Sequence, residues 1–248
     1  MLLAVDVGNT QTVFGLYDGP ELGERWRIAT EAQRTGDELG ALLADFLDPG
    51  AIDGICLSST VPRLIPEYEH LAARWIKAEL LVIGPGVRTG IEIQYDDPRE
   101  VGPDRVVNAV AAKELYGAPA IVADFGTSTN FDVVSARGEF LGGALAPGIE
   151  ISVDALAARA ARLLKVELVR PRSVIGKSTV EALQSGIIYG FAGQIDGLVR
   201  RITAELEAEP VVVATGGLAT LVIDEAETIT EHEPDLTLIG LRLVFERN

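Results

Sequence analysis

A short pattern at the start of the chain recurs about half-way along its 248 residues. The first copy is an apolar segment, residues 2–6, that ends in Asp6 and leads through a Gly-Asn-Thr turn into a second strand-like segment, residues 12–17. The second copy contains Asp124, a Gly-Thr turn and the strand-like residues 131–134. Two strand–acidic turn–strand units at this separation predict an internal duplication.

The rest of the pattern predicts an α/β fold of two domains, 1–116 and 117–248, joined where helix-favouring residues give way to Gly117 and Pro119. A chain of this length can bury the cores of two modest domains. A loop is predicted at residues 142–148. Further strands are predicted at 25–28, 52–58, 80–83, 120–123 and 211–214, and helices at 36–47, 66–77, 102–116, 151–164, 180–207 and 236–246.

Charge and hydropathy limit the classes of partner. The formal net charge is −16 and no cluster of Lys and Arg stands out, so we expect no nucleic-acid partner, which would need such a cluster to neutralise phosphates. The apolar runs are short and interrupted, so we expect no membrane span. The N-terminal segment lacks the basic region of a signal peptide, and a cytoplasmic location is the expectation.

Cysteine and histidine chemistry is sparse. The single cysteine, Cys56, excludes an internal disulfide and has the apolar neighbours of a buried thiol. The two histidines, His70 and His232, lie far apart in charged surroundings and lack the spacing of metal ligands, so both are predicted at the surface.

The Gly8-Asn9-Thr10 turn suits an anion. Glycine permits close approach of the backbone, and several N–H groups of such a turn can point at one phosphate. Asp6, at the end of the preceding strand, suits a hydrated Mg²⁺ ion, which needs few carboxylates. One copy alone is better explained as ordinary hairpin chemistry. The second copy at Asp124 favours function, because two such hairpins can hold one triphosphate.

Two other glycine-containing segments do not match known nucleotide motifs. Gly176-Lys177-Ser178 resembles the end of a Walker A loop, but that motif needs glycine at position 171, where Pro171 stands. Gly84-Pro85-Gly86 lacks the third glycine of a dinucleotide fingerprint, since Thr89 occupies its position.

An ordered set of motifs along nearly the whole chain resembles the type III pantothenate kinase family. The motifs are Asp6-Val7-Gly8-Asn9-Thr10, Gly102-Pro103-Asp104-Arg105, Asp124-Phe125-Gly126-Thr127, Gly142-Gly143 through Pro147-Gly148, Gly176-Lys177-Ser178-Thr179 with Gln184-Ser185-Gly186, and Thr215-Gly216-Gly217. The resemblance implies the actin, Hsp70 and sugar-kinase superfamily: two duplicated ribonuclease H-like (actin-like ATPase) domains with a nucleotide cleft between them. It also implies phosphorylation of pantothenate by ATP to 4′-phosphopantothenate, the first step toward coenzyme A.

The resemblance also implies roles for individual residues. Asp104 would be the catalytic proton acceptor, Asp6 would lie near Mg²⁺, and Asp124 would help to bind a monovalent cation, K⁺ or ammonium. Pantothenate would be surrounded by Tyr95, Gly102, Pro103, Asp104, Arg105 and Thr179. The nucleotide would be bound by Asp6, Val7, Gly8, Asn9, Thr10, Gln11, Thr12, Val13, Thr127, Gly216 and Gly217. One departure from the family pattern is that Ser128 and Asn130 replace the usual alanine and threonine.

Several of these residues have structural alternatives. Asp104 can complement the positive end of its helix, and Thr179 can be a helix N-cap. Tyr95 can be a simple strand aromatic. As a catalyst, Asp104 would mostly orient the substrate hydroxyl, since an ordinary Asp pKa of about 3.9 matches an alcohol poorly. Arg105 could hold the pantothenate carboxylate through a forked pair of hydrogen bonds.

Two competing functions stay open at the level of sequence. One is another small-molecule kinase of the same superfamily, acting on a sugar or on acetate. The other is a non-catalytic regulatory protein on the same fold, which loss of Asp6, Asp104 or Asp124 would have favoured. The apolar character of residues 187–198 exceeds the apparent need of one small core and, with the resemblance, predicts a homodimer.

Overall fold

Two five-stranded sheets organise the computed structural model, which describes residues 1–159 and 166–248. The first sheet has the order β3-β2-β1-β4-β5, with β1 antiparallel to β2 and parallel to β4. Its strands are β1 Leu2–Val7, β2 Gln11–Asp18, β3 Glu21–Ala29, β4 Gly54–Ser59 and β5 Glu79–Val82.

The second sheet repeats this arrangement. Written from its antiparallel edge, its order is β8-β7-β6-β9-β10, with β6 antiparallel to β7 and parallel to β9. Its strands are β6 Ala120–Phe125, β7 Ser128–Val134, β8 Phe140–Pro147, β9 Val211–Thr215 and β10 Glu231–His232. The matching order and directions confirm the predicted duplication and α/β fold class.

Six α-helices connect or cover these strands in the described part of the chain. They are α1 Gly36–Leu43, α2 Ile65–His70, α3 Pro103–Tyr116, α4 Ile149–Arg159, α5 Thr179–Leu206 and α6 Leu236–Phe245. A capping box explains the start of α1: the Thr35 side chain accepts from the Glu38 N–H, and the Glu38 carboxylate accepts from the Thr35 N–H.

Each sheet has its own core. In β1, Leu3, Val5 and Val7 belong to the core of the first sheet, because alternate residues of a strand point to the same face. The second core takes in α5 through buried aliphatic and aromatic residues at helical spacing, namely Ile187, Phe191, Ile195 and Val199. The apolar side of α5 that led to the homodimer prediction is therefore used within its own unit.

The chain divides into two compact units. The first contains Met1–Ile91, Asp96–Ala111 and Leu236–Asn248, and the second contains Glu92–Tyr95 and Ala112–Asp235. α6, predicted within the 117–248 domain, instead packs in the first unit.

Glycines allow α6 to approach this closely. A Cβ atom at Gly240 would lie 2.1 Å from the Val107 carbonyl oxygen of α3, and one at Gly54 would lie 2.3 Å from the Phe245 ring.

The structure corrects several predicted elements. The predicted loop at 142–148 is wrong, since most of it is the edge strand β8. The helix predicted at 36–47 ends at Leu43, and the one at 66–77 is α2 followed by a π-helical turn, Leu71–Ile76, that stops where Lys77 takes a left-handed φ of 63°. The helix predicted at 151–164 is α4 up to Arg159, and residues 160–165 lie outside the described part.

The predictions for the cysteine and the two histidines are confirmed. Cys56 is fully buried, and His70 and His232 are exposed. No helix among the described residues is long and apolar enough to cross a membrane.

Candidate active site

The first predicted phosphate-binding turn lies between β1 and β2. The Gly8 N–H donates to the Gln11 carbonyl oxygen over 3.0 Å, which closes the turn. Thr60, just after β4, holds the Val7 carbonyl oxygen through its N–H (2.9 Å) and its hydroxyl (3.1 Å). Asp6 lies one residue before the end of β1, where its Oδ1 atom is buried. The parallel pairing of β1 with β4 therefore places the Asp6 carboxylate beside a turn whose backbone N–H groups can donate hydrogen bonds.

The residues of this turn differ in their exposure. Asn9, Thr10 and Gln11 are exposed, whereas Val7 is buried. Thr12 is also buried, and its hydroxyl lies 2.8 Å from that of Thr30. Of the predicted nucleotide-binding residues, Thr12 therefore directs its polar group into its own unit and not to the surface.

Asp104 is the second residue of α3. Its Oδ1 atom is buried, and no group in residues 1–159 and 166–248 donates a hydrogen bond to it. A Cβ atom at Gly102 would lie 2.4 Å from this oxygen, so glycine leaves the space that the carboxylate occupies. Burial raises the Asp104 pKa above its ordinary value, against the opposing effects of the Arg105 N–H and the Arg105 charge. A buried carboxyl with unused acceptor capacity and a raised pKa suits a proton acceptor.

The second hairpin turn lies between β6 and β7 in the other unit. The Gly126 N–H donates to the Ser128 carbonyl oxygen over 3.0 Å. Asp124 again lies one residue before the end of its strand, beside Thr215 of β9 in register. A Cβ atom at Gly148 would lie 2.2 Å from the Thr127 carbonyl oxygen, so Gly148 packs directly under the turn.

Gly216 follows β9 and closes on Asp124. It has a φ of 90°, and an added Cβ would lie 2.6 Å from Asp124 Oδ1 and from the N and O atoms of Phe125. Gly217 beside it is exposed. The structure therefore brings together Asp124, the predicted cation ligand, and Gly216, a predicted nucleotide-binding residue.

Tyr95 and Thr179, two of the residues predicted to bind pantothenate, also belong to the second unit. Tyr95 is next to Gln94, whose N–H donates to the Phe140 carbonyl oxygen. The Tyr95 ring packs 6.4 Å from the Phe140 ring and against Gly142. Thr179 is the exposed first residue of α5. The alternative that Thr179 is the N-cap is wrong, because Ser178 occupies that position and accepts from the Glu181 N–H.

Comparison with known proteins identifies the family. The sequence model of type III pantothenate kinase matches residues 2–201. The type III pantothenate kinase of Acidothermus cellulolyticus is 60% identical over 253 residues, covering 100% of this chain and 99% of that protein. The chain belongs to the type III pantothenate kinase family.

Solved structures agree with this family at the level of the fold. A Baf family transcriptional activator from Campylobacter jejuni is similar with a TM-score of 0.62 at 19% identity, covering 99% of this chain and 98% of that one. A ROK hexokinase from Thermus thermophilus has a TM-score of 0.51 at 14% identity, covering 98% and 97%. The pantothenate kinase fold is thus shared with sugar kinases, as the sequence predicted.

Metal binding in this pantothenate kinase would depend on isolated carboxylates. Within residues 1–159 and 166–248, no group of three His, Cys, Asp or Glu side chains is placed to hold an ion. Asp6 fits Mg²⁺, which keeps several waters and accepts one or two carboxylates alongside substrate phosphates. Asp124 could hold a monovalent cation, since its carboxylate and the Phe125 carbonyl oxygen both face the space beside Gly216.

Sequence reasoning missed the residues that hold the first turn from outside it. Thr30 donates its N–H to the Thr10 carbonyl oxygen, and Thr60 holds Val7. Tyr68 of α2 is hydrogen-bonded to the Thr12 side chain. These contacts join residues 20 to 56 positions apart, and no local pattern in the sequence marks them.

Proposed function

We propose that this chain transfers the γ-phosphoryl group of ATP to pantothenate, giving 4′-phosphopantothenate in the first step of coenzyme A biosynthesis. The observation that carries the proposal is the full-length match to type III pantothenate kinases together with the buried carboxyl of Asp104 at the start of α3. The proposed partners are ATP and pantothenate in the cytoplasm, with neither nucleic acid nor membrane, in keeping with the net charge of −16.

Asp104 and its neighbours act on pantothenate in this proposal. Phosphoryl transfer passes through a loose transition state, so alignment of the hydroxyl matters more than its full deprotonation. The Asp104 carboxylate accepts a hydrogen bond from the pantothenate hydroxyl, orients it and takes its proton late in the step. Arg105 binds the pantothenate carboxylate. The remaining contacts are assigned to Tyr95, Gly102, Pro103 and Thr179.

The nucleotide is assigned to the two turns. Backbone N–H groups of Asn9 and Thr10 and the Thr127 side chain bind phosphate oxygens, Gly8 permits the close approach of the phosphates, and Gly216 and Gly217 lie under the adenosine. Mg²⁺ held by Asp6 supplies positive charge that neutralises the phosphates, and K⁺ or ammonium held by Asp124 adds to it. The chain's own contribution is to keep these donors fixed, so that little reorganisation is needed during transfer.

The homodimer stays a proposal, and the structure gives it a different basis. Four glycines lie along one face of α5 at spacings of four, three and four residues: Gly186, Gly190, Gly193 and Gly197. At the first three, an added Cβ would meet no atom within 4 Å. Each glycine in a helix interior lowers the stability of the helix by up to about 1 kcal/mol relative to alanine. At these three positions no contact within the chain requires glycine in place of a larger residue.

A second copy of α5 packed closely on this face would supply that reason, and the exposed side chains of Val174 and Ile175 would extend the contact. Sedimentation equilibrium at micromolar concentration should give a dimer, and Gly190→Leu should shift it toward monomer. A monomer for the parent protein contradicts this part of the proposal.

The function is tested by ADP release with pantothenate, with and without K⁺, for the parent and for Asp104→Asn. We expect cation-dependent release in the parent and a kcat at least about 100-fold lower in the variant, while calorimetry still detects ATP binding. Phosphorus NMR should show the phosphate on the 4′ oxygen.

The alternatives predict other results. Release of ADP with a sugar or acetate but not with pantothenate would assign the chain to another kinase activity. Equal activity of parent and variant would remove Asp104 from the reaction.

A further inference from the structure

Three hydroxyl groups form a buried chain behind the first phosphate-binding turn. Tyr68 of α2 is 1% exposed and Thr12 of β2 is 1% exposed, and their side chains are hydrogen-bonded. The Thr12 hydroxyl lies 2.8 Å from the hydroxyl of Thr30, the residue that follows β3. A side chain of the helical layer is thus joined to β2, which leads out of the turn, and to the residue that follows β3, the neighbour of β2 in the sheet.

This hydroxyl chain reaches the turn through the backbone. The Thr30 N–H donates to the carbonyl oxygen of Thr10 over 2.9 Å, and Thr12 is the register partner of Val7 across the hairpin. Val7 is the residue before the turn, and Thr10 is the last residue of the turn. A shift of Thr12 or Thr30 therefore moves the backbone donors that face the nucleotide phosphates.

The ring and the hydroxyl of Tyr68 have separable roles. The ring packs in the core of the first sheet, and phenylalanine would fill the same space. A cavity of only about 10 Å³ is lined by Tyr68, Thr12 and Thr30 with Leu39 and Leu64, so these side chains have little room for other positions. Burial is the main cause that raises the pKa of the Tyr68 hydroxyl, and the charge of Asp6 adds a smaller increase, so Asp6 also lies within electrostatic reach.

We propose that Tyr68 is a positioning residue for nucleotide binding: through Thr12 and Thr30, its hydroxyl holds the Gly8–Thr10 turn in the shape that accepts the phosphates. This inference rests on the proposed function in one respect, the assignment of that turn to the nucleotide. Tyr68 itself is buried in the core and contacts no substrate. Its effect is therefore expected on nucleotide affinity and not on the chemical step.

The test is Tyr68→Phe, measured by calorimetry with Mg²⁺ and a non-hydrolysable ATP analogue, and by steady-state kinetics. Loss of one neutral buried hydrogen bond is expected to weaken binding of the analogue and raise the KM for ATP about 3- to 10-fold. The kcat at saturating ATP and the KM for pantothenate should stay within about two-fold of the parent. If Tyr68 contributes only to stability, Tyr68→Phe should lower the Tm without a selective rise in the KM for ATP.

Tyr17→Phe is the matched control. Tyr17 is a second buried tyrosine of the first unit, on β2 itself, but its register partner is Leu2, at the end of the hairpin opposite the turn. Its loss should leave nucleotide affinity unchanged.

Adding Thr12→Val to Tyr68→Phe should weaken binding by less than the product of the two single effects, because both act through the same contact.

The outcomes separate this inference from the proposed function. If Tyr68→Phe binds the analogue as tightly as the parent, or Tyr17→Phe loses as much affinity, the positioning role is wrong while the kinase function stands. If the parent binds the analogue but forms no phosphopantothenate, the proposed function is wrong. The affinities of the parent and of Tyr68→Phe for the analogue then still decide whether Tyr68 is a positioning residue. If the parent binds no nucleotide, both are wrong.

Discussion

The two hairpins of this chain place a carboxylate at the same point but hold their turns by different means. Asp6 and Asp124 each lie one residue before the end of a strand that has an antiparallel partner on one side and a parallel partner on the other. The first turn is held by the side chain of Thr60, whereas the second is closed by the backbone of Gly216 at a φ of 90°. The two copies therefore keep the same turn geometry by different means. In the first unit a threonine side chain contributes, and other side chains could take its place, whereas in the second unit the positive φ favours glycine alone.

The largest effect is expected at Gly216. In Gly216→Ala, the positive φ and the 2.6 Å approach to Phe125 both oppose the new methyl group. We expect a loss of about 2–4 kcal/mol in the free energy of unfolding, measured by urea denaturation. Gly84→Ala is the control, because an added Cβ there meets no atom within 4 Å. A neutral Gly216→Ala would show that the second turn is not closed by its backbone.

A smaller difference separates the two turn glycines. A Cβ at Gly8 would lie 3.0 Å from the Gln11 carbonyl oxygen, whereas the nearest atom to one at Gly126 is 3.8 Å away. Gly8→Ala should therefore cost about 1–2 kcal/mol of stability and Gly126→Ala less than about 0.5 kcal/mol. Differential scanning calorimetry of both variants measures this order, and the reverse order would contradict the geometry of the turns.

Thr60→Val tests the side-chain closure of the first turn. The variant loses the hydroxyl bond to Val7 but keeps the backbone N–H bond to the same oxygen. We expect a loss of about 1 kcal/mol in the free energy of unfolding. Thr60→Ser keeps the hydroxyl and should recover most of that loss. If Thr60→Ser is destabilised and Thr60→Val is not, the packing of the methyl group and not the hydrogen bond of the hydroxyl holds the turn.

The smallest effect concerns Asp104 of the first unit, whose Oδ1 atom is buried. Burial raises its pKa in the native state, so ionisation opposes folding as the pH rises from the unfolded pKa of about 3.9 through the higher native value. Asp104→Asn cannot ionise, so it should melt at a higher temperature than the parent at neutral pH, and the difference should vanish at a pH below about 3. A Tm difference independent of pH would contradict a raised pKa.

The hairpins and the carboxylates were predictable because their signals are local. A buried strand, an acid and a glycine turn occupy fewer than twenty consecutive residues, and Pro103 at the first position of α3 marks the helix that carries Asp104. The same reasoning failed at β8, where Gly142 and Gly143 resemble a loop. Pairing with β7 overrides the weak strand preference of these glycines, and Gly143 is required there, since a Cβ would lie 1.6 Å from the Phe131 carbonyl oxygen.

The supports of the site were not predictable for a different reason. Thr60 and Tyr68 act on residues more than 50 positions away, and their local sequence does not distinguish them from the other threonines and tyrosines of the chain. The placement of α6 is the same kind of problem. Its apolar pattern predicts a helix, but the choice of sheet depends on glycines in other elements, such as Gly54 and Gly15, which meet Phe245 and Leu238.

The position of α6 has a consequence for how the chain assembles during synthesis. β1 and β4 leave the ribosome early, yet the helix that covers their face is translated only after the whole second unit. The first sheet must therefore wait with an uncovered apolar surface while its duplicate folds, and a chaperone that shields such surfaces would find its target there. The first unit, whose strands are synthesised first, is therefore the last to complete its fold.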